Sequence, residues 1–383
     1  MRVCLAYDCL HPWTVGGYER YMRALAEAVA TAGHEVTYLT RRQWGADDAP
    51  DIEGVRVVAV SRRDALYGPD GNRLVGPPLR FGRGVLGHLL RHRDDYDVVH
   101  LCAFPYFSLL AAGLAQTKPL FVDWIEVWSA GYWRGYLGGP AGAAGWAIQR
   151  ACARVPQRAF TFSDLHADRL LAEGLRGAPA RLAGLYSGPL DCGPVALERE
   201  PLVVFAGRHI PEKRVTAIPA AIALARGRVP GLRAVVLGDG PERGAVLAAI
   251  DEHGVAGCVT APGFVAPEAV SAAIARAACL ILPSQREGYG MVVIEAAASG
   301  TPSIVAAGED NAAVERIVPG VNGMVAVSDR PADLADAIVA TVEGGPALRA
   351  STAVWFAENA ERLSVSATTR QVLEAYAAAV PAA

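Results

Sequence analysis

Short apolar runs alternate with longer, alanine-rich amphipathic stretches along this chain, and the alternation occurs twice. In the first half "RVCLAY" (2–7), "EVTYLT" (35–40), "VRVVAV" (55–60), "DVVHLC" (97–102), "PLFVDWI" (119–125) and "RAFTFS" (158–163) read as strands. "YERYMRALAEAVATAG" (18–33) repeats its apolar positions at helical spacing and stops at Gly33. Residues 186–201 hold three prolines and two glycines with no clear period, which reads as a linker. The pattern then restarts. Strands are predicted at 202–207, 233–238, 258–263, 279–284 and 301–307, and helices at 215–228 and 244–254. A final helical stretch, 364–380, closes the chain. Repeated βαβ units predict parallel sheets with helices on both faces. The expected fold class is therefore α/β, with two Rossmann-like, doubly wound domains facing a central cleft where ligands bind. The first domain is expected over 1–190, with 364–383 packing back on it, and the second over 191–363.

Bulk properties narrow the function. A chain of 383 residues suits two domains. A net charge of −3 gives no reason to expect nucleic acid as a partner. The longest apolar run, 101–115, carries a proline and is too short to span a bilayer, although contact with a membrane surface stays open. Asp8 interrupts the start before a signal-peptide core could form. Seven cysteines with no C-x-x-C pair suit a reducing cytoplasm. Nothing in the sequence fixes the oligomeric state.

Four strand ends carry glycines or charges that would suit a nucleoside diphosphate. Gly16 and Gly17 precede a helix whose free amides could face an anion, or they form an ordinary turn. Arg208 and Lys213 follow "FAG" (205–207). A guanidinium forks two phosphate oxygens and an ammonium acts as a point charge; alternatively the cluster is solvated, with Glu212 neutralising Lys213. "LGDGPER" (237–243) is a tight turn. The fourth, "SQREGYGMVVIEAAASG" (284–300), holds Glu287 and Glu295. On a continuous helix these carboxylates would stand roughly 12 Å apart in rise and about 80° apart in azimuth, too far to share a proton or a metal. Gly288 and Gly290 instead predict a loop with a helix starting near Gly290. Its first amides suit a phosphate. Glu295, inside the helix, could accept both hydroxyls of a ribose diol, or it merely complements the helix dipole.

Taken together, "GGYER" (16–20), "GHEVTYLT" (33–40), "FAGRHIPEKR" (205–214), "GDGPE" (238–242), "PSQREGYGMVVIEAAASGTPSIVA" (283–306) and "NAAVERIVPGVNGMVA" (311–326) resemble glycosyltransferase family 4. This is a family of retaining nucleotide-sugar enzymes with the GT-B fold and an E-x7-E motif. The resemblance implies transfer of a sugar from a nucleoside-diphosphate sugar to an acceptor hydroxyl or amine of a small molecule, lipid or glycan. It implies no cofactor and no metal. Arg208 and Lys213 would hold the diphosphate, and Glu295 the ribose. Glu287, with the amides of Gly288, Tyr289, Gly290 and Met291, would face the donor sugar. Gly263, Phe264 and Val265 would line the base. Gly16 and Gly17 would close over the phosphate, with Glu19 bracing their loop. Many members carry histidines where Cys102 and Ile125 stand here. His100, Asp123, Glu126 and His209 are the substitutes to face the sugar, although His100 also reads as a satisfied histidine at a buried strand end. The aromatic segment 123–136, with Trp124 and Trp128, is either an acceptor surface or a satellite core.

Two other functions compete. A glycosyl phosphorylase of the same fold would use inorganic phosphate and have no purpose for a ribose-binding Glu295. A non-catalytic nucleotide-sugar-binding protein would bind a donor without turnover. The "DDYD" at 94–97 sits at a solvated helix end without partner ligands for a metal. No zinc spacing, P-loop or G-x-S-x-G sequence is present.

Overall fold

A computed structural model of the chain describes residues 1–45, 48–66, 68, 74–116, 119–191, 193 and 199–380. Part of the expected linker (192 and 194–198) and the last three residues of the expected C-terminal segment lie outside these. The chain divides into two compact units. Unit 1 is Met1–Leu185 with Ser364–Ala383, and unit 2 is Tyr186–Leu363.

Unit 1 runs β1 (Arg2–Ala6), α1 (Gly17–Thr31), β2 (Glu35–Arg41), β3 (Val55–Ser61), α2 (Gly76–Arg91), β4 (Val98–Cys102), α3 (Tyr106–Leu114), β5 (Leu120–Trp124), α4 (Ala130–Leu137), α5 (Gly139–Ala153), β6 (Arg158–Thr161), α6 (Asp164–Ala172) and β7 (Ala180–Arg181). Its seven strands lie in the order β3-β2-β1-β4-β5-β6-β7, all parallel. β4 and β5 are buried along their whole length, as central parallel strands covered on both faces must be. β3 ends the sheet and is partly exposed. On α1 the residues Tyr18, Tyr21, Met22, Leu25, Ala26 and Val29 form one buried stripe. Gly33 closes the turn after it at φ +81°, its amide donating to Ala30 O (2.9 Å) while that of His34 donates to Val29 O (3.3 Å).

Unit 2 runs β8 (Leu202–Ala206), a 3-10 turn (Pro211–Lys213), α7 (Ala217–Arg226), β9 (Arg233–Leu237), α8 (Arg243–Glu252), β10 (Val259–Gly263), α9 (Pro267–Arg276), β11 (Cys279–Leu282), β12 (Arg286–Glu287), α10 (Met291–Ala298), β13 (Ser303–Ala306), β14 (Asp310–Asn311), a 3-10 turn (Ala312–Arg316), β15 (Gly323–Ala326) and α11 (Pro331–Leu363). The main sheet has the order β10-β9-β8-β11-β13-β15, and β12 with β14 makes a separate two-stranded ladder. The hydrophobic core of unit 2 joins β8, β9, β11 and β13 to α7 and α11, with Val203, Ile218, Ile281, Ile304 and Ile338 fully buried. Burying each such side chain contributes about 1.5–3 kcal/mol of transfer free energy. α11 breaks at Gly345, which sits at φ +49° just before Pro346. The chain then returns to unit 1 as α12 (Val365–Ala377), which packs on α1.

Candidate active site

In unit 2 the candidate side chains sit on the loops that leave the carboxyl ends of the central strands. The loop after β8 is set by close backbone packing. A Cβ on Gly238 would lie 1.9 Å from Gly207 O, and one on Gly240 would lie 2.4 Å from His209 O. Both glycines have positive φ, so no other residue fits these two turns. The amide of His209 donates to Asp239 O at 2.8 Å. Its ring is fully buried, and burial depresses its pKa against the opposing pull of Asp239. Arg208, one residue earlier, is exposed.

The 3-10 turn Pro211–Lys213 carries the ammonium of Lys213 onto the carboxylate of Glu287. Ser284 donates its hydroxyl to the same Oε1 at 3.1 Å. Arg286 binds Glu212 at 2.7 Å, and the Gln285 amide donates to Glu212 O at 2.9 Å. Lys213 is therefore not neutralised by its neighbour Glu212, as the sequence suggests; the two acids exchange partners across the turn. Glu287 itself is held in place. It lies on β12, paired with β14, and only 9% of its surface is exposed. Behind it the buried Asn311 donates to Ser284 O and Ala306 O, both at 2.8 Å, and accepts from the Ala313 amide at 3.0 Å.

The helix predicted to start near Gly290 starts at Met291. Gly290 precedes it in the left-handed region (φ 82°, ψ 53°), and no side chain caps the helix. A Cβ there would meet that of Ala313 at 2.7 Å. Tyr289 is buried beneath the guanidinium of Arg316, 4.8 Å from its ring centre. Gly288 is also buried, Met291 is half-buried, and Glu295 is half-buried one turn into the helix. Gly263 ends β10 at φ +92°, followed by Phe264, which is 75% exposed, and half-buried Val265. β10 is two strands from β8 in the sheet, so this third loop stands apart from the Lys213–Glu287 contact.

In unit 1, Gly16 leads α1 with extended backbone (φ −171°), and Gly17 is its first residue. A Cβ on Gly16 would lie 2.1 Å from a carboxylate oxygen of Glu19, so Glu19 lies over this loop. Tyr7 donates to Glu19 Oε1 at 3.3 Å. His100, in the middle of β4, and Asp123, near the end of β5, are wholly buried. The Tyr18 hydroxyl donates to Asp123 Oδ2 at 2.8 Å, and His100 Nε2 stands 2.9 Å from Oδ1. His100 Nδ1 meets the Tyr376 hydroxyl of α12 at 2.5 Å. Cys102 is buried beside them, its thiol pushed well up by burial and then by the Asp123 charge. His100, Asp123 and Trp124, expected to face the donor sugar or the acceptor, are enclosed in the core instead. Their side chains have no exposed surface, and Trp124 donates inward to Gln157 at 2.8 Å. Glu126 and Trp128 keep some exposure and bind each other at 2.7 Å. Sequence reasoning misses Tyr18 and Tyr376; Tyr18 and Tyr21, three apart on the buried face of α1, are the available signal.

Among the described residues no three His, Cys, Asp or Glu side chains are grouped to hold a metal ion. No described helix is long and apolar enough to cross a membrane.

Both units match known families. Residues 16–185 match the Glycosyl transferase 4-like domain, and residues 194–361 match Glycosyl transferases group 1. The chain is a glycosyltransferase of the group 1/4 family. It is 28% identical to a glycogen synthase of Mycobacterium tuberculosis over 363 residues, covering 88% of this chain and 84% of that one. The sucrose-phosphate synthase structure from Thermosynechococcus elongatus superposes with a TM-score of 0.79 at 18% identity, covering 98% of both chains. An Anabaena protein solved with UDP and glucose gives 0.73 at 16% identity, covering 98% and 99%. These likenesses establish the GT-B fold.

The glycosyltransferase thus presents in unit 2 a cationic loop, a carboxylate that holds the lysine in place, and an uncapped helix start. A paired lysine is held rigidly and can still turn part of its charge toward an anion. An amide-rich helix start complements negative charge without needing a proton.

Proposed function

We propose that this glycosyltransferase moves a sugar from a nucleoside-diphosphate sugar to an acceptor hydroxyl or amine with retention at the anomeric carbon. The observation that carries the proposal is the Lys213–Glu287 pair beside the uncapped, glycine-led start of α10. Breaking the bond between C1 and the phosphate oxygen places charge on the leaving diphosphate. Fixed cations and dipoles aimed at that charge lower the barrier. Lys213, Arg208 and the amides from Gly288 to Met291 supply them. Glu287 orients Lys213 and stands where the donor sugar enters. Glu295 accepts the ribose hydroxyls, and Gly263 to Val265 line the base. In front-face transfer the acceptor oxygen bonds to C1 on the side the phosphate leaves, and its proton passes to the departing phosphate oxygen. The Anabaena protein solved with UDP and glucose supports a nucleotide donor. The glycogen synthase relative supports a glycan acceptor, while the exposed part of the aromatic segment leans to a smaller one. The six described cysteines are all free, which fits work in a reducing cytoplasm.

The test has two stages. In a thermal-shift screen with UDP, GDP, ADP and TDP, one diphosphate is expected to raise the melting temperature selectively, because a ligand bound only by the folded state stabilises it. A panel of sugars on that nucleotide then gives turnover or slow donor hydrolysis. Undiminished activity in both Lys213→Ala and Glu295→Ala would overturn the assignment of the site.

A further inference from the structure

Along the outer edge of the unit 1 sheet lies a groove of about 670 Å³, walled by the edge strand β3 on one side and α2 on the other. The lining positions of α2 are 80, 83, 84, 87, 88 and 91, spaced three and one apart, so they occupy a single helix face. Two of them are glycines. Gly84 lets the helix press on β3, since a Cβ there would lie 2.1 Å from Val60 O. At Gly87 the guanidinium of Arg91 folds back over the helix, 3.6 Å from where a Cβ would stand. Arginines stand toward both ends. At one end Arg62 and Arg80 share a single carboxylate, Asp64, at 3.2 and 2.7 Å. At the other end is exposed Arg91, and Arg83 stands one turn from Arg80; neither has a carboxylate partner among the described residues. Arg56 adds to the field at the Arg91 end. There His88, hydrogen-bonded to the Tyr96 hydroxyl at 2.7 Å, is pushed down to about 4 by burial and then by His92, Arg56 and Arg91, against Asp95. His88 is thus neutral at pH 7, and the arginines alone carry the charge.

Eleven residues separate Arg80 from Arg91, about 16 Å along the helix. Charges on an edge strand also deter pairing with a second sheet. Three of the four lining arginines, however, stand on α2, which has no such edge. A guanidinium is planar and forks two oxygens, which matches a phosphate better than a point contact does. We infer that this groove binds an elongated soluble ligand with two phosphate-type groups, one at Arg62 and Arg80 and one at Arg91 where its guanidinium lies over Gly87, joined by an uncharged segment lying over Gly84. The site is independent of the donor assignment in unit 2.

Calorimetric titration of the full chain at low salt tests this with three probes: decane-1,10-diyl bisphosphate, ethane-1,2-diyl bisphosphate and decyl monophosphate. The long bisphosphate is expected to bind at least tenfold more tightly than either other probe, and to weaken as salt is raised. The double variant Arg83→Glu/Arg91→Glu, at two exposed positions, should keep the wild-type melting temperature and lose that preference. Lys213→Ala should keep it. Equal affinity for the three probes would overturn the inference. So would retention of the preference in the charge-reversed variant, or its loss in Lys213→Ala, which would place binding at the donor loops. A fourth arm sediments the chain with phosphatidylglycerol vesicles. Vesicle binding that needs Arg83 and Arg91, and that the long bisphosphate does not displace, would make the groove a lipid contact and end the proposal.

Discussion

Replacing Lys213 with methionine separates what the Lys213–Glu287 pair does for the fold from what it does for catalysis. The side chains of Lys213 and Glu287 are 19% and 11% exposed. Removing one partner of a fully buried pair costs about 3–5 kcal/mol, because the other charge is left unpaired. Here Ser284 still donates to Glu287 Oε1, and some solvent reaches the site, so the expected loss is about 2 kcal/mol. Glu287→Gln strands an ammonium on a flexible stem that can turn toward water, and should cost about 1 kcal/mol. If the pair is formed in solution, the double variant loses less than the sum, by a coupling of about 1–2 kcal/mol. Two units make a single global melt hard to interpret. The readout is therefore hydrogen exchange of peptides from β8 and α10, which reports opening of that region. Turnover behaves differently. If Lys213 faces the leaving diphosphate, Lys213→Met lowers kcat by about 10²–10³, and the double variant stays low even as exchange protection recovers. A Lys213→Met protein with unchanged protection would refute the pair. A double variant with restored turnover would refute the charge assigned to Lys213.

Gly290→Ala should destabilise unit 2 by about 2–4 kcal/mol, since it combines a left-handed backbone with a 2.7 Å approach to the Ala313 Cβ. Ala313→Gly in the same chain should recover only the steric part, as read from the urea midpoint. The depressed pKa of His88 sets a pH dependence. Between the ordinary histidine value and about 4 the unfolded chain takes up a proton that the folded chain refuses, so stability falls as pH drops through that window. Melting temperatures at pH 7 and 4.5 should differ less in His88→Gln than in wild type; an unchanged difference would refute this.

Much of the architecture can be read from the chain, because parallel strands buried on both faces leave near-continuous apolar runs. The runs at 35–40 and 55–60 match β2 and β3 to within a residue at each end. Gly290 marks the start of α10 because glycine reaches the left-handed region without strain. The elements that pattern does not reveal are short or masked in composition. β12 and β14 have two residues each, and β15 begins with a glycine. α2 carries two prolines in its first turn and three later glycines, which hide its period. Partner choice is also illegible. Glu212 adjoins Lys213 in sequence, yet the adjacency of β8 and β11 in the sheet brings Glu287 to the ammonium from 74 residues away. Trp124 resembles a ligand-facing aromatic. Its place at the end of a central parallel strand is the contrary signal, since side chains there point into packed layers.

The return of α12 to unit 1 reverses the usual order in which a chain completes itself. Tyr376, which meets His100 and packs on Phe121 at 4.9 Å between ring centres, follows the whole of unit 2 in the chain. Everything from Tyr186 to Leu363 is made first. At about 5–20 residues per second, the apolar socket around Phe121 and Phe160 waits on the order of tens of seconds for its last wall. During translation unit 1 is thus completed only after unit 2 has been made, and until then its aromatic socket lacks the wall that Tyr376 provides.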